Sequence, residues 1–281
     1  MKIFEHIEAA RSHLRSVTRQ GSSIGFVPTM GALHEGHLSL VARAKKENDY
    51  VVVSIFVNPI QFNNQQDLVN YPRDPEEDIK KLRSVGCDML FMPSSDEMYP
   101  DPVTTVYDLG HLDKVMEGRY RPDHFNGVVI VVRKLFDIIK PDTAYFGEKD
   151  FQQLVIIRYM TTQLDLPVEI IACPTVREKD GLAMSSRNMR LTTEQRRQAP
   201  HIYRVLQEIK ARAGHATIPE LKTYVEKQFK QTESMKLEYF EIADMHTLLP
   251  VNSWSESQNI IACIAVYVGE IRLIDNIILF S

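Results

Sequence analysis

The sequence predicts an α/β fold: a Rossmann-like parallel sheet with helices on both faces, followed by a smaller C-terminal α+β domain. Three observations predict it. Short apolar runs alternate with helical patterns through the first two-thirds of the chain, as in a parallel sheet joined by crossover helices. Those runs are continuously apolar, which strands buried on both faces require. After about residue 176, two helical stretches precede three adjacent strand-like runs, the order of a small antiparallel α+β unit.

Taken in order, the first sixteen residues carry Ile3, Phe4, Ile7, Ala10 and Leu14 at helical spacing, with Glu5, Glu8, Arg11 and Arg15 breaking any apolar run. This predicts one amphipathic helix, not a secretion signal. Strands are expected at 24–27, 51–57, 88–92, 144–146 and 168–172, each bounded by Pro, Gly or Asp. Helices are expected near 37–47, 75–85, 126–139 and 150–164. The irregular stretch 177–191 reads as a hinge, dividing a domain of residues 1–176 from one of residues 177–281. The second domain holds helices at 193–212 and 218–231 and strands at 236–243, 259–267 and 271–279.

Composition narrows the function. The chain has 281 residues, 44% hydrophobic and 25% charged, enough for two globular domains. A net charge of −4 supplies no basic footprint, so no nucleic-acid partner is expected. The longest apolar runs, 51–57 and 260–268, are too short to span a bilayer, so no membrane partner is expected either. Cys87, Cys173 and Cys263 are odd in number and far apart, which fits reduced, mostly buried thiols in a cytoplasmic protein.

Four segments carry chemistry. The first, from Phe26 to His37, reads FVPTMGALHEGH and runs from the first strand into the first helix of the sheet. Gly31 and Gly36 permit close backbone approach, and the helix amides near residue 37 favour an anion. His34 and His37 stand three apart, so both rings can donate to phosphate oxygens whose charge grows in a transition state. A pair so spaced can also ligate zinc, but no Cys or acidic third ligand stands at a suggestive distance. In the second segment, VNPIQF, Asn58 and Gln61 are neutral donors and acceptors suited to hydroxyls and a carboxylate. The third is YFGEKDFQQL, where Gly147 allows a tight exit, Lys149 offers a charge for phosphate, and Asp150 can cap the helix that presents Gln153. In the fourth, TVREKDGLAMSSRN, Ser185, Ser186 and Arg187 concentrate groups able to grip a triphosphate.

The strand, the glycines and the H-x-G-H pair resemble the nucleotidyltransferase and class I synthetase superfamily, and the serine-rich segment resembles that superfamily's mobile KMSKS loop. With YPRDPEED and RPDHFNG between them, these motifs, all in order across residues 26 to 188, resemble the pantothenate synthetase family closely. The C-terminal domain carries no signature to check. The resemblance implies a Rossmann-like domain with a smaller lid, a homodimer, and ligation of pantoate to β-alanine through a pantoyl-adenylate. ATP would be a substrate and Mg²⁺ a cofactor.

It further implies roles. Met30, Gly31, Ala32, Leu33, His34, Glu35, Gly36 and His37 would hold the ATP phosphates, with His37 as proton donor. Gly147, Glu148, Lys149 and Asp150 would contact the adenosine or its phosphates, and Val176 the adenine. Met184, Ser185, Ser186 and Arg187 would close over the triphosphate. His34, His37, Lys149 and Arg187 would form the catalytic set. Gln61 and Gln153 would bind pantoate, with Gln61 also lining the β-alanine position. Asn58 would support pantoate, and Glu77 and Asp78 would hold magnesium.

Overall fold

A computed structural model describes residues 1–232 and 234–281. The chain begins with β1 (Lys2–Phe4), α1 (Ile7–Thr18), β2 (Ile24–Thr29), α2 (Glu35–Glu47) and β3 (Tyr50–Ile55). It continues through α3 (Gln65–Val69), α4 (Pro75–Ser84), β4 (Met89–Phe91), α5 (Ser95–Met98), α6 (Met116–Tyr120) and α7 (His124–Ile139). Then come β5 (Thr143–Gly147), α8 (Phe151–Gln163) and β6 (Glu169–Cys173). The remaining elements are α9 (Thr193–Gln198), α10 (His201–Arg212), α11 (Ile218–Lys230), β7 (Met235–Asp244), β8 (Ile260–Val268) and β9 (Ile271–Phe280).

The first six strands form one parallel sheet in the order β1-β4-β3-β2-β5-β6. Successive residues of β2 serve opposite faces. Phe26 packs with Phe136 and Ile139 of α7, and with Leu14 of α1, on one side. Val27 packs with Leu40, Val41 and Ala44 of α2 on the other. Both faces are therefore covered, which is why these strands are apolar throughout. The chain steps from β2 to β3 and β4 on one side, then crosses to β5 on the other, so the order reverses between β2 and β5. Loops leaving the carboxyl ends of strands diverge at such a point and open a crevice.

The last three strands form an antiparallel sheet in the order β7-β8-β9. Ile260, Ala262, Ile264 and Val266 of β8 pack with Ile202, Leu206 and Val225 of α10 and α11. Ile261 and Cys263, on the opposite face, join the core of the parallel sheet. The fold class and both layers are as the sequence predicts.

Two local expectations are corrected. The expected N-terminal helix begins only at Ile7; Lys2–Phe4 instead pair with Met89–Phe91 as an edge strand. A three-residue strand has no periodicity to read, and its partner lies far along the chain. The helix expected over 193–212 is two helices, α9 and α10, separated at Ala199 and Pro200. Pro200 has no N–H to donate to the turn before it, and the helix ends there.

Candidate active site

The crevice at the β2–β5 reversal is a cleft with a free volume of about 210 Å³. Four stretches far apart in sequence line it: Met30, His34, Gly36 and His37; Gln61; Gly147, Lys149, Asp150 and Gln153; and Val176, Met184, Ser185, Ser186 and Arg187. Gly31, Ala32, Leu33, Glu35, Glu148, Asn58, Glu77 and Asp78 do not line it.

Residues 29–34 are held by a dense set of bonds. Gly31 has φ +82°, a conformation open to glycine at little cost, and its amide donates to Thr29 Oγ1 at 3.2 Å. The Ala32 and Leu33 amides donate to the two carboxylate oxygens of Asp78, at 2.8 and 2.7 Å. Lys81 Nζ donates to the Leu33 carbonyl at 2.8 Å, and Ser186 Oγ to the Ala32 carbonyl at 3.0 Å.

This arrangement corrects the magnesium expectation. Both oxygens of Asp78 accept from the loop's own backbone, and Asp78 is buried behind the loop. Glu77 points to the surface beside Lys80 and Lys81. Among the described residues no group of three or more His, Cys, Asp or Glu is arranged to hold a metal ion. Asp78 is a scaffold for the loop.

The two histidines are fixed by the start of α2. The Gly36 amide donates to His34 Nδ1 at 3.1 Å, and the His34 amide donates to His37 Nδ1 at 3.3 Å. An amide can only donate, so each Nδ1 is an acceptor and each neutral ring carries its proton on Nε2. The rings lie 4.0 Å apart, centroid to centroid. Burial, then the positive charge of Lys149, pulls the His34 pKa down to about 4. Burial, then His34 and Lys149, holds His37 well below its ordinary value. Both rings are therefore neutral at neutral pH, with an N–H on Nε2 free to donate.

A stability consequence follows, with a definite sign. A histidine buried neutral takes up its proton more readily in the unfolded chain, so stability is full above the ordinary value near 6.5 and is lost as pH falls toward 4. The melting temperature should drop between pH 7 and pH 5, and His34→Gln should flatten that drop. Equal slopes for the wild type and His34→Gln in a thermal-shift series would refute the assignment.

Asn58 is also corrected. It is buried, donates from Nδ2 to Gln61 Oε1 at 3.0 Å and to the Gly127 carbonyl at 3.1 Å, and accepts from Tyr99 at 2.9 Å. With both its N–H groups engaged, it orients the Gln61 amide and makes no wall of the cleft. Gln61 directs its Nε2 group past Met30 Sδ.

Sequence reading missed several contributors. Val128, Val131, Val132 and Leu135 of α7 form an apolar wall at helical spacing; as a buried helix face it had no distinguishing mark. Asn276 of β9 donates from its Nδ2 to the carbonyls of Glu148 and Lys149, at 2.8 and 2.9 Å, and so ties the lysine turn to the C-terminal sheet. Asp67 accepts from Arg187 and Arg190, at 2.7 Å each, and sets the direction of the cleft's arginine. Nothing local in the sequence pairs residues so distant.

Comparison with known proteins identifies the family. A sequence profile described as Pantoate-beta-alanine ligase matches residues 2–278. The chain is 50% identical to the pantothenate synthetase of Bacteroides thetaiotaomicron over 277 residues, 99% of this chain and 98% of that one. The crystal structure of pantothenate synthetase from Thermus thermophilus superposes with a TM-score of 0.93 at 42% identity, covering both chains completely. Pantoate-beta-alanine ligase from Francisella tularensis, solved with β-γ ATP and β-alanine, superposes at 0.84 with 38% identity over 99% of this chain and 98% of that one. With the whole length matched in sequence and in fold, the chain belongs to the pantoate–β-alanine ligase family.

Proposed function

We infer that the cleft activates pantoate with ATP and joins it to β-alanine, forming pantothenate and releasing AMP and pyrophosphate. The observation that carries the reading is the meeting of neutral Nε2–H donors, Lys149 and Arg187 with the amides of Gln61 and Gln153 in one crevice. The apolar wall of Val128, Val131, Val132 and Leu135 suits the gem-dimethyl carbon of pantoate, while Gln61 and Gln153 suit its hydroxyls and carboxylate.

The chemistry follows from charge. Pantoate's carboxylate attacks the α-phosphate of ATP, and two anions must meet. Lys149 and Arg187 offset their repulsion, and the His34 and His37 donors stabilise charge spreading over the phosphate oxygens. The mixed anhydride then loses AMP to the amine of β-alanine. No protein nucleophile is required, and all three cysteines are buried thiols. Magnesium would supply further charge neutralisation. Among the described residues Asp150 is the single carboxylate lining the cleft, a donor set that would fit an ion carried largely by the triphosphate.

The hinge at 176/177 is proposed as the boundary of a C-terminal lid that keeps water from the adenylate. The two halves have largely separate cores. A homodimer is proposed as well; the exposed stretch with Val103 and Val106 is a face it could cover. Cytoplasmic residence is proposed from the three free cysteines, and among the described residues no helix is long and apolar enough to cross a membrane.

The test is an assay for AMP in which each substrate is left out in turn. AMP release should require ATP, pantoate and β-alanine together; pyrophosphate without AMP would point to a plain adenylyltransferase. In the same assay, Gln61→Ala should raise the KM for pantoate at least tenfold, while calorimetric ATP affinity stays within threefold. Lost ATP affinity would place Gln61 elsewhere.

A further inference from the structure

A consecutive pair on β9, Asp275 and Asn276, reaches out of the C-terminal sheet in two directions. Both side chains are buried. Asn276 stands opposite Cys263 of β8 and Asp275 opposite Ile264, and cross-strand partners share a face of the sheet. Cys263 packs in the core of the parallel sheet, whereas Ile264 packs among α10 and α11. One step along the strand therefore presents an amide on one side and a carboxylate on the other.

The amide holds the turn of Lys149. Asn276 Nδ2 donates to the carbonyls of both Glu148 and Lys149, at 2.8 and 2.9 Å. Carbonyls only accept, so the group between them is the nitrogen, whose two hydrogens serve one oxygen each. The turn Glu148–Asp150 leads from β5 into α8, and Lys149 lines the cleft from it. A side chain of the C-terminal sheet thus fixes the backbone that aims this ammonium.

The carboxylate holds a second part of the cleft. Arg177 donates to both oxygens of Asp275, at 2.6 and 2.9 Å. The same guanidinium donates to the carbonyls of Gly181 and Asn276, at 3.1 and 3.3 Å, and lies 3.7 Å from the centre of the Tyr203 ring. Gly181 belongs to the turn of a short hairpin. The Met184 amide donates to the Val176 carbonyl at 3.0 Å, the Glu178 amide to the Leu182 carbonyl at 2.8 Å, and Arg177 pairs with Ala183. Val176 and Met184, at the hairpin's open end, line the cleft, and Ser185, Ser186 and Arg187 follow directly.

We propose that Asp275 and Asn276 are positioning residues for adenylation, supplied by the C-terminal sheet. Asn276 aims Lys149 through its backbone, and Asp275, through Arg177, holds the hairpin that delivers Val176, Met184 and Arg187. The proposal rests on the ligase reading. Neither residue lines the cleft. Because adjacent residues of one strand grip both parts, the spacing of Lys149 and Arg187 is set before ATP arrives, and preorganised charge costs nothing to rearrange during the reaction.

Pantoate-dependent exchange of pyrophosphate into ATP reads adenylation. Asn276→Leu, similar in shape but without N–H groups, should lower the kcat of exchange about tenfold while the KM for pantoate stays within about twofold. Lys149→Ala should lower kcat about 10²-fold, and adding Asn276→Leu to it should cost less than about twofold more, since nothing is left to aim. Asn276→Ser keeps one donor and should lose less than the leucine variant; it serves in the same cycle if Asn276→Leu shows no cooperative melting. Arg177→Lys keeps the charge but not the fork, and should weaken ATP binding by calorimetry about fivefold. A full further loss in the double variant, the additive result of a merely structural defect, would overturn the proposal, as would wild-type exchange in Asn276→Leu. Wild-type ATP affinity in Arg177→Lys would overturn the part assigned to Asp275. Absence of pantoate-dependent exchange in the wild type would instead overturn the ligase reading beneath it.

Discussion

Replacing His37 with alanine should slow pantoyl-adenylate formation by roughly 10²–10³, the cost of removing one preorganised donor from a charge-developing centre. The reason is geometric. Nδ1 of His37 is held by the His34 amide at 3.3 Å, so the ring is oriented and its Nε2–H donor is in place before substrate arrives. Nothing need reorganise in the transition state. Because both rings are neutral, the effect should persist across pH 6 to 8 without a limb near the usual histidine value. His37→Gln, whose amide can still donate, should lose less than His37→Ala. The measurement is pantoate-dependent exchange of labelled pyrophosphate into ATP; a change under threefold for His37→Ala would remove this histidine from the chemistry.

The second large effect is expected from a residue that touches no substrate. Gly127 lies in the first turn of α7, packed against the Pro59–Gln61 turn. A Cβ at this position would stand 2.6 Å from the Ile60 carbonyl oxygen, 2.8 Å from Gln61 Cα and 2.9 Å from Gln61 N. All three are backbone atoms and cannot rotate aside, so Gly127→Ala must push helix and turn apart. The displaced turn carries Gln61, its hydrogen bond from Asn58, and the carbonyl that fixes His124. Overpacking of this kind costs about 1–3 kcal/mol of stability. A shift of about 1 Å at a substrate-orienting group costs on the order of 10² in kcat/KM, so pantoate use should fall by that factor. ATP affinity by calorimetry should change little, since the phosphate loop is anchored separately by Asp78 and Lys81. A variant that melts lower but keeps its pantoate kcat/KM would show that the turn's position is irrelevant to binding.

These two predictions mark how far local sequence could be read. The H-x-G-H pair was legible because a strand, a glycine-rich turn and a helix start follow one another within a dozen residues, and helix-start physics acts over that range. Which nitrogen carries the proton was not legible, since it depends on two backbone amides whose direction is set by the turn. Asp78 misled for a related reason. An acidic pair on a helix near a phosphate loop has the composition of a metal site, and only the fold reveals that its oxygens are occupied by Ala32 and Leu33. Asn58 was placed among substrate ligands although its bonds hold Gln61 in position.

By itself, the sequence determined the layer architecture, most of the strands and helices in order, and the family. Those properties follow from periodicity, turn chemistry and motifs, all of which act between near neighbours. The tertiary structure decided which groups face the cleft, which are scaffold, and how Asn276 and Asp67 relate to it. Those choices depend on contacts between residues as far as 154 positions apart, where the topology of the sheet, and not local propensity, sets the distance.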